Sequence, residues 1–272
     1  MATALAAGCG TTAESSAPTP AVELTGRVRQ SNLDQSLSSI RVQLLNEGTE
    51  PVDVEEVLLQ VSPFPDVASD DDGVVPPGRR IDFRVEYGDP TTCAGDSPTP
   101  GPATAQVVAD RRQVEVDVED SQNVLRRLLT LYCDRQRLAE VVTISLGERW
   151  TPADGADALL GTIELRRVAG DAEVTVRHLA GSVVYQLRPA TSGEPIAVLA
   201  AGQDAISVPV LATALRCDPH ALAEGKKNYV FPVWLGLAGG PEEVKVELTA
   251  ELEVRPTFDT LCPAPVATGV GS

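Results

Sequence analysis

Two histidines, His178 and His220, are the only imidazoles in 272 residues. Catalysis near neutral pH needs a group that titrates there, or a nucleophile with a partner base. The chain contains no GxSxG, no HExxH and no phosphate-cradling GxxxxGK[ST]; Gly225-Lys226-Lys227 shares only a Gly-Lys pair with the last. His178 lies in phase with Val174 and Val176 on a predicted strand and reads as a core or strand-end histidine. His220 stands in ALRCDPHALAEGKKNYVFPV, where Asp218-Pro219 should open a turn or short helix with Asp218 as its cap. Asp218, His220 and Lys226 therefore form the candidate binding set. Asp70-Asp71-Asp72-Gly73 invites a calcium reading, but the EF-hand register puts Ala68 at position one and Arg79 at position twelve. Both end ligands are missing there. No catalytic residue, metal-ligand set or cofactor is assigned. The 39 acidic side chains leave an unrecognised carboxylate pair as the one route to hydrolysis.

Charge and cysteine usage narrow the classes. A net charge of −17 argues against a nucleic-acid partner and against a bare electrostatic hold on anionic lipid. The only lysines are Lys226, Lys227 and Lys245; the remaining cations are Arg. Of five cysteines, Cys9 stands apart, and none of the other four lies in a CxxC or beside a histidine, so zinc spacing is absent. Two structural disulfides in an oxidising compartment are the simplest account of Cys93, Cys133, Cys217 and Cys262. Four cysteines allow three pairings. An even split between two domains favours Cys93 with Cys133 and Cys217 with Cys262.

The elements that would position these residues are mostly strands. Ile40, Val42 and Leu44 alternate with Arg41 and Gln43, and Val52 and Val54 resume after the Asn46-Glu47-Gly48 turn. Ile81, Phe83, Val85 and Tyr87 alternate next, then Val114, Val116 and Val118. In the second half Val142, Ile144 and Leu146 alternate, then Ile163 with Leu165, then Val183, Tyr185 and Leu187. Tyr229, Phe231, Val233, Leu235 and Leu237 share one face, with Pro232 pointing to an edge or a bulge. Val244 to Val254 reads as one long alternating strand. Between the halves, Val124, Leu125, Leu128, Leu129 and Tyr132 recur at helical spacing behind Ser121 as a cap, and Leu138 opens the next strand. Arg126, Arg127, Arg135 and Arg137 form the densest basic cluster, read as solvated or paired with Glu119, Asp134 and Glu140.

Three stretches carry resemblances. Leu5-Ala6-Ala7-Gly8-Cys9 resembles a bacterial lipobox, although residues 1–4 are too few for the basic and apolar regions of such a leader. The resemblance implies lipidation of Cys9, behind which residues 10–21 would act as a disordered tether. IRVQLLNEGTEPVDVEEVLLQ resembles the paired strands of immunoglobulin-like domains in bacterial surface proteins. ALRCDPHALAEGKKNYVFPV resembles a stretch in secreted proteins of high-GC Gram-positive bacteria and brings no activity with it. The expectation is an all-β chain of two immunoglobulin-like β-sandwich domains in tandem, with a short helix at the junction. Its parts are a leader remnant (1–9), a tether (10–21), a first sandwich (22–137), a second (138–262) and a disordered tail (263–272). The expected function is a non-catalytic binding or scaffolding lipoprotein on the extracytoplasmic face of the membrane, partnered by another envelope protein or a glycan. The alternatives are a carbohydrate-binding accessory module, or a hydrolase with a carboxylate pair.

Overall fold

Strand-period patterning dictates most of what the chain becomes. The computed structural model describes residues 22–69, 71–93, 95, 98–154, 157–224 and 227–262. These fall into two compact units, residues 22–91 with 100–124, and residues 92–99 with 125–262. The sequence pattern puts the end of a first domain at 137. The contacts divide the chain earlier, because the central helix and the segment before Pro100 cohere with the C-terminal strands.

The first unit comprises β1 (Leu24–Arg29), α1 (Asn32–Ser36), β2 (Ser39–Asn46), β3 (Val52–Gln60), β4 (Val67–Ala68), β5 (Gly73–Val75), β6 (Arg80–Glu86), β7 (Ala103–Ala109) and β8 (Arg112–Glu119). Its strands run β4-β3-β7-β8-β1-β2-β6, with β5 on β3. Every pairing is antiparallel except β1 with β8, a two-residue parallel join at Gly26↔Val118 and Arg27↔Glu119. Strands β1, β2 and β6 thus meet β3, β7 and β8 through one seam, in the crossing order of an immunoglobulin-like domain. The outer face of β2 is drier than its alternation implies. Gln43 is buried there, accepting from Arg27 Nε at 2.8 Å and donating to Asp82 Oδ1 at 2.5 Å.

The second unit holds nearly all of α2 (Val124–Val141), then β9 (Val142–Leu146), β10 (Thr151–Pro152), β11 (Ala158–Arg167), β12 (Val174–Leu179), β13 (Tyr185–Pro189), β14 (Ala197–Leu199) and β15 (Ala205–Ala214). After these come α3 (Pro219–Glu224), β16 (Val230–Leu237), β17 (Val244–Thr249) and α4 (Arg255–Asp259). One sheet runs β10-β11-β15-β13 with β9 on β11; the other runs β14-β12-β16-β17. Both contribute to one core, so the unit is a sandwich with four-on-three immunoglobulin connectivity plus two short extra strands.

Several local expectations change. The helix is capped by Asp120, whose Oδ1 accepts from Val124 N at 2.6 Å, rather than by Ser121. It runs on to Val141, so Cys133 and Leu138 are buried helix residues; Leu138 fits both periodicities. Pro232 lies in the central strand β16, not at an edge, and its carbonyl still accepts from Ala180 N at 2.9 Å. Strand β17 stops at Thr249. Leu252 is 68% exposed, and Pro256 sits in the first turn of α4, which replaces the predicted strand end.

Cys93 is bonded to Cys133 and Cys217 to Cys262, and both bonds lie in the second unit. Disulfides of this kind place the chain in an oxidising environment. Among the described residues no helix is long and apolar enough to cross a membrane.

Candidate binding surface

Of the sequence-derived candidates, Asp218 and His220 lie at α3 of the second unit. Asp218 accepts from Ala221 N at 3.0 Å and caps α3, and its other oxygen meets Arg216 Nε at 3.1 Å. The Ala221 N–H first, and Arg216 after it, hold the Asp218 carboxyl below the usual carboxylate range. His220 is exposed on α3. Lys226 and Cys9 lie outside the described residues, as does Asp70 of the acidic run. Asp71 accepts from Arg84 N at 2.9 Å, which makes it a loop fastener. Asp218 is thus committed to a cap and an adjacent ion pair.

Two members of the arginine cluster, Arg135 and Arg137, are likewise structural. Arg135 Nε donates to the Lys245 carbonyl at 2.9 Å. Arg137 pairs with Asp134 at 4.0 Å and donates to the Gly95 carbonyl. Asp134 is the described carboxyl pushed up by burial, and the charge that opposes the shift is that of Arg137 rather than a second acid. Among the described residues no group of three His, Cys, Asp or Glu side chains comes together as a metal site.

A different surface gathers the rarer side chains. On the outer face of β12, β16 and β17, the register sets His178 opposite Trp234, and Trp234 opposite Lys245. The His178 and Trp234 rings are 5.0 Å apart and tilted by 55°, and Lys245 Nζ stands 5.9 Å from the Trp234 ring centroid. Glu247, one outward position along β17, binds Lys227 Nζ at 2.9 Å and Lys245 Nζ at 3.3 Å. Burial pushes the Glu247 carboxyl up, but the two ammonium groups outweigh it and hold it below the usual range. Trp234 is half-buried, while His178 and Arg177 are exposed.

A β-bulge builds this surface. The pairing shifts between Val176 and His178, so Arg177 is an extra residue on β12. In a regular strand of the same sequence His178 would face the core with Val174 and Val176, as its spacing predicts. The bulge changes the phase and turns His178 outward onto Trp234. Gly236, two residues along from Trp234, must lack a Cβ. One placed there would lie 2.7 Å from Arg177 Nε and 2.7 Å from the Glu242 carbonyl, so the guanidinium rests over bare backbone.

The other tryptophan is structural. Trp150 is buried, donates to the Gly147 carbonyl at 2.9 Å and packs so closely on β11 that a Cβ at Gly161 would lie 2.4 Å from its ring. Its ring meets Phe258 of α4 at 4.7 Å, and Phe258 also contacts Tyr185 and Phe231. The hydroxyls of Tyr185 and Tyr229 both donate to Asp259, at 2.9 and 2.5 Å; burial first, and Asp259 second, push both phenols up. The arrangement latches α4 to the sandwich. Sequence reasoning missed Trp234, Arg177 and Lys245. The available signal was a tryptophan out of phase with the apolar row Phe231, Val233 and Leu235.

No family model matches the chain, and no curated protein matches its sequence. Among solved structures it is similar to red sea bream transglutaminase, with 10% identity over 85% of this chain and a TM-score of 0.24; the chain spans 32% of that enzyme. It is also similar to the B domain of a biofilm-associated protein (8% identity, 85% of this chain, 86% of that one, TM-score 0.22). A third likeness is to CBD12 from CALX1.2 (12% identity, 84% and 82%, TM-score 0.20). The chain's own strand pairing makes it a β-sandwich protein.

Proposed function

We propose that the chain is an exported, non-catalytic binding protein of the cell envelope. It is held at the membrane through a lipid on Cys9 and takes its ligand on the outer face of β12, β16 and β17. The observation that carries this reading is Trp234. It is half-exposed on a rigid sheet face, in a chain where only 4% of residues are aromatic and the other tryptophan is spent on the core. A large ring left at the surface amid charged neighbours is a contact awaiting a partner. Disulfides support the compartment, and the lipobox supports the anchor.

Sedimentation with isolated cell envelopes tests the binding half. The full chain should co-sediment, and Trp234→Ala should weaken retention by about tenfold, the scale of a lost aromatic anchor. Equal retention of the two would remove the site from the proposal. For the anchor, the chain expressed behind a complete export leader should partition with membranes. Cys9→Ala should release it, because dual or triple acylation is what makes such anchoring stable.

A further inference from the structure

The proposal of a binding face leaves its ligand open; resting on that reading, we infer that the face takes a glycan carrying acidic groups, a uronate or a phosphate. Its charge is the first reason. Arg177, Lys227 and Lys245 against Glu247 and Glu173 give 3 − 2 = +1 on a chain whose net charge is −17. Glu242 and Glu243, in the turn beyond Gly236, line a cleft along α2 with Arg126 and Arg137 instead. A cationic patch on an acidic body draws anions by local field while the rest of the molecule repels them.

The second reason is shape and lining. A protein partner needs an apolar centre ringed by polar groups. Here one indole has His178, Lys245, Glu247 and Arg177 among its outward neighbours, and the other apolar outward positions are Val230 and Pro232 on β16 and Val198 on β14, all half-buried. A pyranose presents an apolar C–H face to such a ring and hydroxyls to such a rim. Its acidic substituent would sit at Arg177, whose planar fork over Gly236 suits a carboxylate or phosphate.

Titration calorimetry on the full chain tests this with tetragalacturonate, its fully methyl-esterified form, a ribitol-phosphate oligomer and a decamer of glutamate. At least one acidic glycan should bind. Trp234→Ala should weaken it about tenfold or more, and Trp234→Phe, which keeps a ring, by less than about threefold. Arg177→Gln should weaken the acidic glycan about fivefold and abolish its preference over the esterified one. Binding should fall between about 0.05 and 0.3 M salt. Preference for tetragalacturonate or for ribitol phosphate separates the uronate from the phosphate source. Equal binding of the esterified form, tighter binding of the glutamate decamer, or insensitivity to both Trp234 changes would overturn the inference. Failure of every glycan while envelope retention still depends on Trp234 would overturn it too, yet leave the binding face standing. Loss of that dependence would remove both.

Discussion

The first unit keeps a buried carboxylate and a core that is aliphatic apart from Phe64 and Phe83; the second keeps both disulfides and a cluster of four buried aromatics. In the first, Asp34 is 2% exposed and is satisfied locally. It accepts from Ser31 N at 2.9 Å and Ser31 Oγ at 2.7 Å in a capping box, and from Arg41 Nε at 2.9 Å. Val28, Ile40, Val42, Leu44, Val54 and Phe83 are buried in the same unit. In the second, Trp150, Tyr185, Phe231 and Phe258 lie buried around α4, and Cys217–Cys262 ties down the chain just beyond that helix. The same strand logic is stabilised in one case by the ladder and a few buried polar contacts, in the other by covalent and aromatic fasteners. The unit with the more heavily fastened scaffold also carries the proposed ligand face, and a site that must hold a ring and a fork in fixed register calls for such a scaffold.

The largest separation of the two units should come from reduction. The bonds span 40 and 45 residues, and the chain-entropy relation gives about 4 kcal/mol each. Changing all four paired cysteines to Ser should move the denaturation transition of the second unit far down and leave that of the first in place. A joint shift of both would end the distinction. Phe258→Ala should cost the second unit about 3–5 kcal/mol, since the ring contacts Trp150, Tyr185 and Phe231 at once. Thermal unfolding monitored by near-ultraviolet circular dichroism reads that loss directly.

Much of this was legible in the sequence, and the failures have physical causes. The alternation of Ile40 to Leu44, Ile81 to Val85 and Phe231 to Leu235 survives into β2, β6 and β16, because buried rows repeat every second residue. Helix α2 is announced by Val124, Leu125, Leu128 and Leu129, but its end is hidden by Leu138, which suits either period. Spacing alone puts His178 in the core because a bulge changes phase without changing composition; nothing in Val-Thr-Val-Arg-His marks the extra residue. Leu252 continues an alternation that the chain abandons at Thr249. Of the candidate binding set, Asp218 proves to be a cap, which Asp-Pro foretells. His178 and Lys245 meet Trp234 from either side only when three strands align, and no single segment contains that fact.

Smaller tests sharpen the first unit. Burial pushes the Asp34 carboxyl up, but the Ser31 hydrogen bonds and Arg41 prevail and hold it below the usual range. The stability it contributes is therefore fully present above about pH 4 and is lost as pH falls through the folded value. Asp34→Asn should cost about 1–2 kcal/mol at pH 7, and the gap to the unaltered protein should close in acid. A gap that persists unchanged at low pH would contradict the assignment. The β7–β8 turn places Asp110 and Arg111 at φ of 48° and 62°, left-handed values that suit glycine. Arg111→Gly should stabilise the first unit by about 0.5–1 kcal/mol and leave the second unchanged in the same denaturation curve.

Hydrogen–deuterium exchange of the full chain, with and without solubilised envelope polysaccharide, tests the central claim most directly. The account predicts added protection in β12, β16 and β17, centred on residues 175–178 and 232–236, abolished by Trp234→Ala, with none in the strands of the first unit. Protection confined to the first unit, or to the α3 segment around Asp218 and His220, would contradict it.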